Sequence, residues 1–164
     1  FGGIEMAGHD KVTAQGKRFL KELQKLSEKQ VRVGLKRGKK GKRHNGTSSQ
    51  TDLVDIALYN ELGTSTIPAR PFFAQTVQVH EEEIREAAVS EAAKVLRGNE
   101  KAQQAFREIG TDVQKKVQKR IDEGQFVPNA PSTIKRKGHD HPLIDTGTMR
   151  DSISYTVCEK GEYD

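Results

Sequence analysis

Six of the eight residues 36–43 are Lys or Arg, and the other two are Gly. A block of this kind cannot enter a core. Its like charges repel, and its glycines remove backbone stiffness. Residues 36–50 therefore read as an extended, mobile basic loop around which the rest of the chain folds. The cations are Lys36, Arg37, Lys39, Lys40, Lys42 and Arg43. They dominate a lopsided distribution: residues 1–50 hold 13 Lys and Arg against 4 Asp and Glu, and the remainder holds 15 against 19. A polyanion is the natural partner for such a loop, DNA phosphate first. No aromatic residue is interleaved, so base stacking is not indicated and contact would be independent of sequence. A merely solvated loop is the bland alternative.

The apolar supply is small. Leu, Ile, Val and Phe together number 36 in 164 residues, close to the level of about 20% at which chains stop folding alone. A thin core is expected, with some segments ordered by packing on neighbours. The single Cys excludes a disulfide framework and a Cys-based zinc site. No apolar run approaches the roughly 18 residues of a membrane helix, and no secretory signal opens the chain. Residues 1–5 read as a processing remnant, with Met6 as a native start. The expected organisation is an N-terminal arm over 1–9, one domain over 10–158 and a tail over 159–164.

Along that domain, Val12, Phe19, Leu20, Leu23 and Leu26 recur at helical spacing over about 10–29, with Lys17, Lys21, Lys25 and Glu28 opposite. Val31, Val33 and Leu35 alternate as a strand. Asp52 can cap a short helix carrying Leu53, Ile56, Ala57 and Asn60 on one face, which Gly63 stops. Pro68 and Pro71 punctuate a connector, and Pro71 suits the first position of a long helix. The stripe Phe73, Val77, Ile84, Ala88, Ala92 and Val95 predicts the buried face of that helix, and Glu81, Glu82, Glu83 and Glu86 a wet acidic face. Gly98 ends it. A further helix spans about 100–123 with Ala102, Phe106, Ile109, Val113, Val117 and Ile121 inward. Residues 124–141 are rich in Pro and Gly, with a short helical turn near 133–137. Residues 152–157 alternate strictly, placing Ile153, Tyr155 and Val157 on one face. Long helices with a few strands far apart in sequence predict an α+β fold: a small, mostly antiparallel sheet packed with amphipathic helices.

Motifs with chemical content are few. Asp145-Thr146-Gly147-Thr148 spells the aspartic-protease loop, yet that chemistry needs two such Asp side chains and a mostly β scaffold. The expectation is structural: Asp145 or Thr146 caps a helical turn over 148–151 before the last strand. His139-Asp140-His141 sits between Gly138 and Pro142 as a polar turn, with no second ligand cluster to make a metal site. Cys158 reads as a small strand residue. The sequon at Asn45 has meaning only on a secretory route. No phosphate-binding loop and no nucleophile–base pair emerge, so neither catalytic residues nor cofactors are expected.

Three segments, taken in order, carry a resemblance. The first is Tyr59-Asn60-Glu61-Leu62-Gly63-Thr64 with Ile67-Pro68-Ala69-Arg70-Pro71-Phe72. The second is Val127-Pro128-Asn129-Ala130-Pro131-Ser132-Thr133-Ile134 with Lys135-Arg136-Lys137-Gly138. The third is Pro142-Leu143-Ile144-Asp145-Thr146-Gly147 with Met149-Arg150-Asp151-Ser152-Ile153-Ser154-Tyr155. The set resembles the tail-component, or tail-completion, proteins of long-tailed double-stranded DNA bacteriophages over about 10–158. It departs at Val127, where that pattern has a polar residue, and its basic loop is longer. The resemblance implies a non-enzymatic neck protein, assembled in the host cytoplasm and carried in the virion. Its copies would form a homo-oligomeric ring, sixfold with twelvefold as the alternative. Head–tail connector, tail terminator or tail tube proteins and channel DNA would be its partners, with no membrane. Asn60, Gly63, Pro68, Arg70, Pro71, Phe72, Asp145, Thr146 and Gly147 are then structural or inter-subunit residues. A sequence-independent DNA-binding protein using the basic loop is the competing reading.

Overall fold

A computed structural model describes residues 13–42 and 48–162. The fold is α+β, as the patterning predicts. In chain order come α1 (Ala14–Glu28), β1 (Lys29–Gly34), β2 (Lys40–Lys42), β3 (Ser48–Asp52), α2 (Leu53–Leu62), α3 (Phe72–Leu96), α4 (Ala102–Glu123), α5 (Pro131–Lys137), α6 (Thr148–Asp151) and β4 (Ser154–Glu159). Helices α3 and α4 pack along each other, and the other face of α4 carries the β1–β4 pair.

Several boundaries follow from local chemistry. Thr13 caps α1 by accepting from Gly16 N at 3.1 Å. Asp52 caps α2 through Val54 N at 2.9 Å, and Gly63 ends that helix at φ 76°. Gly98, Gly124 and Gly138 likewise stop their helices with positive φ, a conformation that costs Gly little.

The strands differ from the expected single sheet. Two separate antiparallel pairs form, β1 with β4 and β2 with β3. Val31 pairs with Val157 and Val33 with Tyr155; Val31 and Tyr155 pack on Gly110 of α4, and Val33 and Leu35 pack on the core. Strand β4 starts two residues later than its alternation suggested, and Ile153 before it is buried in the core. Segment 36–50 is also not wholly a loop, because β2 and β3 pair within it with Lys40 opposite Asp52. Strand partners and an acidic anchor, described below, offset the self-repulsion. Arg43 lies outside the described residues, as do the residues of the sequon and the expected N-terminal arm.

The main core joins Leu53 and Ala57 of α2, Phe72 of α3, Val117 and Ile121 of α4, Met149 of α6 and Ile153. A smaller cluster of Val95, Ala102 and Ala105 is covered by Leu26. The expected stripe on α3 is partly wrong. Phe72 and Thr76 are buried, whereas Val77 is 49% exposed. The buried stripe enters α3 at Phe72 and Thr76 and runs through Ile84, Ala88 and Val95, leaving Val77 at its edge, and the helix kinks at His80 with φ −109° and ψ 15°. Pro71 stands just before the helix, not inside it, and gives no side-chain cap. That role falls to Glu61 of α2, whose carboxylate accepts from Phe73 N at 3.0 Å and Ala74 N at 2.8 Å.

Candidate functional site

Two of the three resembling segments meet at Arg70, and the third lines the cavity beside it. Gly63 makes the first bend: a Cβ there would lie 2.9 Å from Ala69 N, so only Gly lets the connector fold back over the end of α2. Thr64 pins the return by accepting from Thr66 N at 3.2 Å and Ile67 N at 3.0 Å. Arg70 then turns inward and is only 5% exposed. Its Nε donates to Val127 O at 2.8 Å, its Nη2 to Pro128 O at 3.0 Å and its Nη1 to Asn60 Oδ1 at 3.2 Å. The planar guanidinium fork suits three acceptors in different directions, which an ammonium could not serve. Burial pulls its pKa below the usual arginine range, but the group stays a cation. The connectors over 64–70 and 124–130 are thus tied to each other within one chain.

Beside Arg70 lies a cavity of about 470 Å³, lined among others by Asn60, Pro68, Arg136, Lys137, Asp145 and Thr146 over an apolar floor of Leu53, Ile56 and Met149. Lys137 is 5% exposed, and its Nζ donates to His141 O at 2.7 Å. Burial lowers its pKa, and Asp145 is the strongest influence opposing that shift. Asp145 Oδ1 is buried without a hydrogen-bond partner. Leu143, also in the lining, has φ 65°, a left-handed conformation uncommon for a branched residue.

The expected cap is corrected here. Gly147 occupies the N-cap of α6 at φ 78° and offers no side chain, while Asp145 lines the cavity with its Oδ1 buried. Thr146 Oγ1 instead pairs with Thr148 Oγ1 at 2.6 Å. The polar groups here include two buried cations, Arg70 and Lys137, held by main-chain oxygens and Asn60 Oδ1, and one buried carboxylate oxygen without a hydrogen-bond partner.

The basic strand runs along the rim, because buried Gly41 of β2 lines the same cavity. Lys36, Arg37, Lys39 and Lys40 are exposed. Arg37 Nη1 lies 3.4 Å from Asp55 Oδ1. Asp52 Oδ2 accepts from Gly38 N at 2.6 Å while its other oxygen caps α2, and Leu53 N donates to Lys39 O at 2.8 Å. The main-chain N–H groups of Val54 and Gly38 hold the Asp52 carboxyl below the usual aspartate range. Among the described residues, Lys36, Lys39 and Lys40 make no ion pair.

The His139–His141 turn is structural. Asp140 Oδ1 accepts from Asn129 N at 3.0 Å, and the His141 ring sits between Pro142 O at 2.9 Å and Asp122 O at 3.1 Å. Among the described residues no group of three or more His, Cys, Asp and Glu could hold a metal ion. Cys158 is half-buried in β4, with Gln30 Nε2 at 3.7 Å from its Sγ. Sequence reasoning missed Lys137 and Glu61 as functional positions. Lys137 carries a faint signal, standing three residues after Ile134 just before the helix-ending Gly138.

No family model, no curated protein and no solved structure matches this chain.

Proposed function

We propose that this chain is a structural virion protein of the phage neck. It is a tail-completion or head–tail joining ring subunit that links the head connector to the tail tube around the DNA channel. The observation that carries the reading is that the first two resembling segments are tied at Arg70, through Asn60, Val127 and Pro128, while the third lines the same cavity through Leu143, Ile144 and Asp145. Segments that resemble one family in order thus work as one structural unit. The role is non-enzymatic: the unit supplies binding groups and a rigid joint. Exposed apolar side chains such as Leu62 at 74% and Val79 at 72% suit a subunit covered by neighbours. Among the described residues no helix is long and apolar enough to cross a membrane.

The exposed cations at Lys36, Lys39 and Lys40 favour a second reading, a DNA-binding protein indifferent to sequence. Labelled virions imaged at the neck test the first: density for this chain between connector and tube, with a count of six or twelve, is expected. Its absence from the particle refutes that reading. Binding to random duplex DNA tests the second. Replacing Lys36, Arg37, Lys39, Lys40, Lys42 and Arg43 with Gln should flatten the dependence of affinity on salt. In the neck reading the same variant should form particles that retain or eject DNA abnormally.

A further inference from the structure

The cavity beside Arg70 holds an excess of positive charge. Among the described residues that line it, Arg70, Arg136 and Lys137 are cations and Asp145 is the one acid, a net of +2. Thr133, Arg136 and Lys137 stand three and four residues apart, so they share one face of α5 within about 100° of its circumference. Arg70 reaches the same cavity from the connector after α2. The charges act on one another. Burial does most to lower the Lys137 pKa; Asp145 and Asp140 oppose it, and Arg70 and Arg136 add to it.

Hydrogen bonds satisfy two of these cations without neutralising them. Arg70 and Lys137 donate to uncharged oxygens, those of Val127, Pro128, Asn60 and His141. Three of the five N–H groups of Arg70 are used in this way, and one of the three on Lys137. Arg136 is exposed and enters no hydrogen bond or ion pair among the described residues, and the hydroxyl of half-buried Thr133 is equally uncommitted. Asp145 forms no ion pair with any of the three cations. Like charges gathered away from water are costly unless a counter-charge meets them.

We propose that this cavity binds a phosphate monoester, its phosphate held by Arg136, Lys137, the spare donors of Arg70 and the Thr133 hydroxyl. Charge selects the class. A phosphate monoester carries about −2 at neutral pH and meets the whole excess, whereas a carboxylate would leave one positive charge unmet. Its terminal oxygens accept from donors arriving along different directions, and Arg136 adds the guanidinium fork that suits them. Size calls for an organic part. About 470 Å³ is more than one phosphate fills, and Leu53, Ile56 and Met149 give the remainder an apolar floor. The same chemistry has two sources: a small organic phosphate, or the 5′-terminal phosphate of a nucleic acid strand. Exposed Lys39 and Lys40 precede Gly41, which also lines the cavity, so a strand leaving the cavity would meet further cations.

Titration of the full-length protein at constant ionic strength tests this. Phenyl phosphate is the small probe, read from the amide resonances of Thr133 and Lys137 and the methyl resonance of Met149. Benzoate keeps the ring and replaces the phosphate by a carboxylate; it should bind about tenfold more weakly or worse. Arg136→Gln should weaken phenyl phosphate by about the same factor. Lys115→Gln, which changes an exposed cation of α4 outside the lining, should leave the affinity unchanged. Circular dichroism verifies folding, and Thr133→Val serves if Arg136→Gln does not fold. Two short duplexes, alike except for a 5′ phosphate or a 5′ hydroxyl, separate the sources. Tighter binding of the phosphorylated duplex, lost in Arg136→Gln, assigns the site to a strand end. Binding of phenyl phosphate with no difference between the duplexes assigns it to a small organic phosphate. Either result upholds the phosphate site. No shift at these residues with either millimolar phenyl phosphate or the phosphorylated duplex overturns it. So does equal binding of benzoate, or an unchanged affinity in folded Arg136→Gln. The neck reading is judged separately by the virion image.

Discussion

Arg70 and Asn60 are joined through both main chain and side chain: Arg70 N donates to Asn60 O at 2.5 Å, and Arg70 Nη1 to Asn60 Oδ1 at 3.2 Å. Asn60 Nδ2 in turn donates to Ile56 O at 2.8 Å, so the side chain of α2 is oriented before it meets the guanidinium. The pair locks the connector after α2 to the helix it has just left. The remaining arginine donors then reach the segment before α5.

That geometry makes Arg70 hard to replace. Arg70→Met should cost about 3 kcal/mol, because three part-buried oxygens lose their donor at once. Arg70→Lys should recover only part, since one ammonium cannot serve three divergent acceptors. Urea denaturation of both variants against the parent checks this; equal midpoints for Lys and Arg would contradict it.

Gly110 is the contact point between α4 and the β1–β4 pair. A Cβ there would stand 2.6 Å from Tyr155 Cδ2 and 2.9 Å from Val31 Cγ2. Ala would gain about 1 kcal/mol of helix propensity. Overpacking against the half-buried Tyr155 ring should outweigh that, giving a net loss of about 1–2 kcal/mol. Shortening the neighbour, Tyr155→Leu, should make the Gly110→Ala change less harmful. A double-mutant cycle in thermal unfolding measures this coupling.

The Asp52 carboxylate is stabilised by the main-chain donors of Val54 and Gly38, which lower its pKa in the folded state. Its contribution is therefore present above the unfolded value of about 3.9 and is lost as pH falls through the lower folded value. The amide resonances of Gly38 and Val54 should titrate together with a midpoint below that of free aspartate. In Asp52→Ala this shared acid transition should vanish, and β2 should loosen from α2. A midpoint at or above the free value would exclude the anchor.

Glu61 caps a helix it does not belong to. Glu61→Ala should cost about 1 kcal/mol, as loss of other N-terminal caps does, with fraying confined to the first turn of α3. Hydrogen exchange at Phe73 and Ala74 should accelerate while exchange in α4 stays unchanged. Uniform acceleration across both helices would instead mark a global effect.

What the sequence alone determined is what acts over a few residues. Asp52 before Leu53 and Gly63 after Leu62 set the limits of α2, because capping and left-handed φ are local demands. The inward residues of β1 and β4 were equally legible, since alternation needs no knowledge of the partner strand. Tertiary structure decided the rest. Pairing of Lys29 with Glu159 joins the two ends of the fold, and no local signal names a partner so distant. Thr76 and not Val77 is buried on α3, because burial follows the surfaces packed against the helix, not its own period. The roles of Arg70, Lys137 and Asp145 were hidden for the same reason. A charged side chain reads as exposed until the chain folds oxygens around it or closes it in without a partner, and those surroundings come from segments far apart in sequence.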